Sequence, residues 1–426
     1  MSLGGLARCI GFYGLDLLRG GRCIRHLRDI QAKSADPVRS DDEELRDILQ
    51  YAIRNVPYYS TVKAPILSEF PVVDKKTFKR EGMNCISREF TDLARLHEVH
   101  TGGSTGEPLV AYQDASKRDR VKMDLIHAHK NIGWDLGERY IFIRNWKARN
   151  KRSRAKLFAQ NVRLVDVTTF NDEQKRELAT FLRRHKSVLF GHASAIIDFM
   201  HFAVREKIDA EALRIPLIVC DSDELSEQNR AALQNTFRCP VYNRYDNEEN
   251  GLIAISDGKS NQMTVNFPSL HIELLRLDSD DPAAPGEMGR VVITDLYNKA
   301  MPMIRYDTGD LAVSHDEPGK IRTLHELSGR MADTCLSANG TLISAAALSS
   351  VAKAFLSIER YCLFWKGDKA YTFCYEGELS EGDAAELQNR LHRLLGDDAA
   401  IEIKADAIKT GANGKRRTIV DAREDK

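Results

Sequence analysis

The apolar and polar positions of the chain change rhythm along its length. Leu45, Ile48, Leu49 and Ala52 recur at helical spacing behind an S-x-x-E capping box at Ser40 to Glu43, predicting a helix that ends at VPYY. A second helix is predicted from near Asp114, with Val121, Leu125, Ala128 and Ile132 on one face. From there short apolar runs alternate with helical segments: RYIFIRN, RLVDVTT, a helix around Glu173 to Arg184, SVLFGH, a helix from Ser194, PLIVCDS, a helix from Ser226, then PVYNRY. Such a βαβα rhythm predicts a largely parallel sheet covered by helices, with ligands at the carboxyl ends of its strands.

After Tyr245 the helices stop and strands with turn signals follow: TVNFP, LHIELLRLD, and GRVVITDL beyond the turn DSDDPAAPGE. The last part of the chain resumes a compact α+β pattern. Ala345 to Leu356 and Ser380 to Leu395 read as helices, and RYCLFW, AYTFCYE and AIEIKA as strands. The expected fold class is therefore α/β: a large multi-layer α/β N-terminal domain over residues 1–326 and a small α+β C-terminal lid over 327–426, divided near Leu327. No repeat, low-complexity tract or long linker interrupts this plan.

Composition narrows the possible partners. With 426 residues, 42% of them hydrophobic, the chain can bury a full core and exceeds one small domain. Lys+Arg 62 balances Asp+Glu 62, so no global field draws it to nucleic acid or an acidic surface. The 8 cysteines are scattered without CxxC or zinc spacing and read as reduced thiols of a cytoplasmic protein. Arg8, Asp16 and Arg19 interrupt the apolar N-terminus, leaving no uninterrupted apolar stretch long enough for a signal peptide or a membrane span, so neither is expected. An ordinary first helix packed on the core is the expected reading there. A peripheral helix on a membrane surface, with basic residues among Ile10, Phe12, Tyr13, Leu17 and Leu18, is the alternative.

Four short stretches carry candidate chemistry. In TGGSTGE, Gly102, Gly103 and Gly106 let the backbone approach a ligand, and Thr101, Ser104 and Thr105 offer hydroxyl donors to phosphate oxygens. The stretch lacks the Lys of GxxxxGK[ST] and is not a kinase-type P-loop. In MPMIRYDTGDLA, Asp310 follows a Thr308-Gly309 turn and offers a carboxylate to paired hydroxyls. In LSGRMAD, Arg330 supplies a planar five-donor fork. In KTGANGKRR, two glycines hold up Lys415, a point charge suited to a transferring phosphoryl group. Each alone also reads as something plainer: a flexible loop, a surface turn, a salt-bridge partner and a solvated basic tail.

These four in this order, with YDNEENG at Tyr245 to Gly251 between the first two, resemble the adenylate-forming superfamily of acyl-CoA synthetases and ligases. YAIRNVPYYS, FPVVDKKTFKR, GHASAI, the YxNxExG form of the central motif and LHIEL are similar to the phenylacetate-CoA ligase-like branch, including capsular polysaccharide biosynthesis relatives. The resemblance implies ATP-dependent activation of a carboxylic acid, with Mg²⁺ as cofactor and coenzyme A as the usual acceptor. It implies that Thr101 to Gly106 cradle the β- and γ-phosphates and that Tyr245 stacks on adenine. Glu249 would hold Mg²⁺ on the phosphates, Asp310 and Arg330 the ribose, and Lys415 would bridge carboxylate and α-phosphate.

The chain departs from the family pattern in places. Where relatives read YGxTE, Asp246 replaces the Gly and Glu248 the Thr that would donate to phosphate. Leu109 stands where many members have a Lys, and Ala332 where the hinge has Asp. The acid pocket is expected near Trp146, His192, Ala193, Cys220 and Asp221. Two other readings stay open: acyl transfer to an amine or carrier protein in surface polysaccharide or secondary metabolite synthesis, and a catalytically degenerate nucleotide-binding scaffold.

Overall fold

The computed structural model describes residues 2–36, 41–100, 109–146, 153–222, 225–330, 334–352, 354–355, 357–367, 369–406, 408 and 418–423. The chain starts with α1 (Leu3–Leu18), capped by the Ser2 hydroxyl, which accepts from the Gly5 N–H at 3.1 Å. A Gly20-Gly21 turn leads into α2 (Arg22–Ser34). α3 (Asp42–Asn55) buries Ile48, Leu49 and Ala52 as its periodicity predicts. The capping expectation needs correction: Asp41 takes the cap position, and its carboxylate is drawn to His271 and Arg322 instead of a helix N–H. Ser40 lies outside the described residues.

α4 (Lys75–Glu81) precedes a hairpin of β1 (His97–His100) and β2 (Val110–Gln113), joined in register from His97↔Gln113 to His100↔Val110. The TGGSTGE segment is the connection of this hairpin and lies outside the described residues. α5 (Ala115–Asn131) follows at once, with Asp114 accepting from the Ser116 and Lys117 N–H groups.

The alternating segments then form β3 (Tyr140–Arg144), α6 (Arg154–Gln160), β4 (Val162–Asp166), α7 (Asp172–Arg184), β5 (Val188–His192), α8 (Ala193–Arg205), β6 (Ile218–Asp221), α9 (Glu227–Phe237) and β7 (Val241–Asn247). β4, β3, β5, β6 and β7 lie side by side in that order, all parallel, because each crossover helix returns the chain to the same edge. Phe199, Phe202, Leu178, Leu182 and Leu233 fill the space between this sheet and α7 to α9. Gly191 at the end of β5 is obligatory: its φ is +148°, and a Cβ there would stand 2.0 Å from the Ile143 carbonyl oxygen.

Beyond β7 the chain reverses into β8 (Gly251–Ser256) and β9 (Met263–Val265), so the sheet is mixed. β10 (Leu270–Leu275), β11 (Met288–Asp295) and β12 (Tyr306–Val313) build a second, antiparallel sheet. β13 (Thr323–Leu324) returns to β9, and β14 (Glu326–Arg330) pairs with β12. The expected boundary near Leu327 thus falls inside a strand that belongs to the second sheet.

The remaining elements are β15 (Thr334–Leu336), β16 (Leu342–Ser344), α10 (Ala345–Ala352), β17 (Ile358–Gly367), β18 (Ala370–Gly377), α11 (Glu381–Leu395), β19 (Ala400–Ala405) and β20 (Ile419–Asp421). They share their own core of Leu348, Leu363, Phe373, Leu387, Leu391, Leu395 and Ile419. β20 lies parallel beside β17, with Ile419 fully buried, so residues 419–421, past Lys415, form a sheet strand. Among the described residues no disulfide forms and no helix is long and apolar enough to cross a membrane. Burial pushes the Cys85 and Cys239 thiols up to about 12, which makes them inert at neutral pH.

Candidate active site

The turn between β7 and β8 is closed by two asparagines. Asn247 Oδ1 accepts from the Asn250 N–H at 2.7 Å, and its amide donates to Asn250 Oδ1 at 3.0 Å. Gly251 then lets the hairpin sit on α5: its φ is +87°, and a Cβ would come within 2.9 Å of Val121 Cγ2. Between them the Glu249 carboxylate is turned inward and accepts from the Tyr306 hydroxyl at 3.1 Å. Burial raises its pKa, against the pull of Lys75 and the Tyr306 bond. A cation at this carboxylate would relieve that desolvation.

The phosphate-loop hairpin is joined to this turn by Gln113, the last residue of β2. Its amide donates to the Glu249 carbonyl oxygen at 2.8 Å and lies 3.4 Å from that of Glu248. The stems of TGGSTGE and the central motif, far apart in sequence, are thereby adjacent. Nothing further is described of Thr101, Gly102, Gly103, Ser104, Thr105 and Gly106, which lie outside the described residues.

Asp310 reaches the same place from β12. Gly309 turns with φ +75°, and the Asp310 carboxylate accepts from the Tyr245 hydroxyl at 2.6 Å. Burial and the facing Asp310 charge hold the Tyr245 phenol well above its ordinary pKa, so it stays a donor. The Tyr245 ring packs in the core beside Ile253 and Val265 and is 8% exposed. Arg330, on β14, stands opposite Asp310 in register. The structure therefore brings Tyr245, Glu249 and Asp310 together, with the Arg330 backbone beside them. Lys415 lies outside the described residues, in the connection between β19 and β20.

The departures from the family motif have local explanations. Glu248, half exposed, is drawn onto Arg144 Nη2 at 3.3 Å. The Asn247 side chain is held by the turn, its amide donating to Asn250 Oδ1 and its oxygen accepting from the Asn250 N–H. Leu109 is a core residue packed with Val99, Ala111 and Tyr306. Asp246 pairs with Arg244 at 3.1 Å, and the same guanidinium holds Asp221 at 2.6 Å. Arg244 also lies 3.3 Å from His129 Nε2, and burial with that neighbouring charge keeps His129 neutral.

Of the residues expected around the acid, Asp221 and the half-buried His192 face each other across β5 and β6. Trp146 is half-buried and donates to the Val165 carbonyl at 3.1 Å. Ala193 and Cys220 belong to the hydrophobic core between sheet and helices, because their strand and helix positions point inward. Sequence reasoning missed Gln113, Arg144, Arg244 and Tyr306. Gln113 directly precedes a helix cap in YQDAS, and Tyr306 sits inside the RYDTGD stretch, so adjacency to a motif was the available signal.

Among the described residues no three His, Cys, Asp or Glu side chains gather into a metal cage. A single buried carboxylate is nevertheless what Mg²⁺ bound through nucleotide phosphates would ask of the protein.

Comparison with known proteins agrees with this geometry at the level of fold. No protein-family model matches the chain. Protein CapK of Staphylococcus aureus is 19% identical over 304 residues, covering 67% of this chain and 64% of CapK, so less than two thirds of that relative is spanned. The crystal structure of 2-hydroxyisobutyryl-CoA ligase in the postadenylation state, in complex with R3-HIB-AMP, superposes with TM-score 0.66 at 17% identity, covering 90% of this chain and 89% of that one. ATP-bound MatB from Rhodopseudomonas palustris superposes with TM-score 0.55 at 15% identity, covering 80% and 68%. The ordered motifs and the architecture thus converge: the chain has the fold of the adenylate-forming acid-CoA ligases, a large N-terminal α/β body with a smaller C-terminal domain.

Proposed function

We propose that this chain is an adenylate-forming ligase that activates a carboxylic acid with ATP and passes the acyl group to the thiol of coenzyme A. The observation that carries the reading is the junction of three distant segments: Gln113 holding the Glu249 turn, and Tyr245 holding Asp310 at 2.6 Å. The neighbours support the general reaction, since the hydroxyisobutyryl ligase was also solved with 2-HIB-AMP and CoA.

In the first step a substrate carboxylate oxygen attacks the α-phosphorus, the bond to the bridging oxygen breaks, and pyrophosphate leaves with that electron pair. Thr101 to Gly106 would hold the β- and γ-phosphates, Tyr245 the adenine, and Asp310 with Arg330 the ribose. Glu249 would carry Mg²⁺, which neutralises phosphate charge. Lys415 would bridge carboxylate and α-phosphate, so the small domain, expected as 327–426 and proposed to start past Arg330 because β14 pairs with β12, must close over the site. In the second step the thiolate attacks the acyl carbonyl and AMP leaves.

Pyrophosphate release across a panel of aryl, aliphatic and amino acids, with and without Mg²⁺ and coenzyme A, tests the reading. Release that needs one acid and Mg²⁺ and falls roughly a hundredfold or more in Lys415→Ala is expected. Release stimulated by an amine or a carrier protein, and not by coenzyme A, would replace the proposed acceptor. No release with any acid would leave a nucleotide-binding scaffold.

A further inference from the structure

Helix α1 is oriented against the usual rule. Surface helices turn their apolar side inward, yet Leu3, Leu6, Ile10 and Leu17, at spacings that keep one face, are all exposed, Leu3 at 88% and Ile10 at 63%. Leu18, at 87%, and Leu15, round the helix from that stripe, are exposed as well. The helix has two charged residues, and both turn toward the protein. Asp16 is buried and accepts from the Cys23 and Ile24 N–H groups, each at 3.0 Å. Arg8 is half-buried and donates to the carbonyl oxygens of Gly4 and Phe158. The outer face of α1 thus carries no charge at all.

The helix is nevertheless fixed to the body. Phe12 and Tyr13 pack on Cys23, Ile30 and Met123. Gly5 lies against the turn at Gly137, where a Cβ would come 2.4 Å from the Gly5 carbonyl oxygen.

We propose that this face is a docking surface for an anionic lipid bilayer, with α1 lying in the interface. Its sixteen residues make an apolar ridge about 24 Å long. The rim is cationic: Arg19, Arg25 and Arg28 are exposed around the α1–α2 turn, and Asp16, already used as a cap, is the only carboxylate before Asp29. Next to Arg8, α6 adds exposed Arg154 and Lys156 beside Phe158, which is 77% exposed, and contains no acid. The whole chain is neutral, so this positive charge is local. An apolar face with an arginine rim suits acyl chains below and lipid phosphates around them. A second copy on the same face would set the two arginine rims against each other.

The test uses the full chain in flotation with vesicles of phosphatidylcholine, or of phosphatidylcholine with phosphatidylglycerol. Binding to the anionic vesicles that weakens with salt is expected. Ile10→Glu with Leu17→Glu should lower it at least about tenfold, and Arg25→Glu with Arg28→Glu should abolish the preference for phosphatidylglycerol. All four positions are exposed, so unchanged circular dichroism separates lost docking from lost folding. Absence of binding to anionic vesicles, or binding unaffected by the apolar pair, overturns the proposal. So does a wild-type dimer that the apolar pair converts to monomer without vesicle binding.

Discussion

Helices α1 and α5 break the same rule in opposite directions. α5 buries charge: Lys117 and Arg120 are fully enclosed, and Asp124 is nearly so. Each has partners within reach. Lys117 Nζ stands 2.7 Å from Asp295 and 2.9 Å from the Asn250 carbonyl oxygen. Arg120 donates to Ser269 and to the Pro268 carbonyl, pairs with Asp29, and lies 3.9 Å from the centre of the Tyr297 ring. α1 instead exposes apolar side chains, Leu3, Ile10, Leu17 and Leu18 among them, that the described residues leave largely uncovered. The contrast teaches that polarity alone does not decide burial. A charge can go in when the fold supplies its complement, and a row of leucines left out invites a complement from elsewhere.

Removing one complement should give the largest effect. Lys117→Met leaves Asp295 buried and unpaired, so unfolding in urea should show a loss of about 3–5 kcal/mol, much of it recovered when Asp295→Asn is added. A loss below about 1 kcal/mol would break the comparison. Glu249→Gln extends the logic to the candidate site. The neutral amide suits burial and retains an oxygen for Tyr306, so the unfolding midpoint should hold while pyrophosphate release falls roughly a hundredfold.

A smaller effect is expected at Asp246, which burial pushes up to about 6 against the pull of Arg244, although 27% of its side chain remains open. The folded state favours the protonated acid, so this contribution is whole below about pH 4 and is lost as pH rises through about 6. Asp246→Asn removes that titration, and its stability relative to wild type should climb by about 1–3 kcal/mol across the window. The smallest effect sharpens the other side. Leu3→Glu, Ile10→Glu and Leu17→Glu together should shift stability by no more than about 0.5 kcal/mol per site, since these side chains are mostly exposed. A large loss would mean that the outer face of α1 is covered.

Much of the frame was legible because periodicity is a local signal. The parallel β3 to β7 core, the stop after β7 and the α+β end all follow from spacing between near neighbours. Tyr245 and Asp310, 65 residues apart, were linked only by the family resemblance, which implied roles for both at one nucleotide, and their hydrogen bond was not foreseen. What spacing could not reveal is direction and partnership. α5 was expected to bury Val121, Leu125, Ala128 and Ile132; it buries Val121 and Ala128 but also Lys117 and Arg120, whose partners outside the helix lie 91 or more residues away. The same limit hid Gln113 and Arg144, each of which acts on a carbonyl or carboxylate of the distant β7–β8 turn. In α1 the stripe was visible, and only packing shows that it faces outward.

The strand β20 has a consequence for Lys415. The thirteen residues between Ala405 and Ile419 run from one strand of the C-terminal sheet to another. Asp406 is held by the Tyr375 carbonyl, and Leu363 by that of Thr418, so both feet of the connection are fixed. An ammonium on such a ring cannot diffuse beyond the ring's own contour, and its effective concentration at any point it reaches is on the order of millimolar. One broken peptide bond within that span would leave the lysine on a single-ended tether, still joined to the sheet through β19 or β20 but with a wider reach and a lower effective concentration.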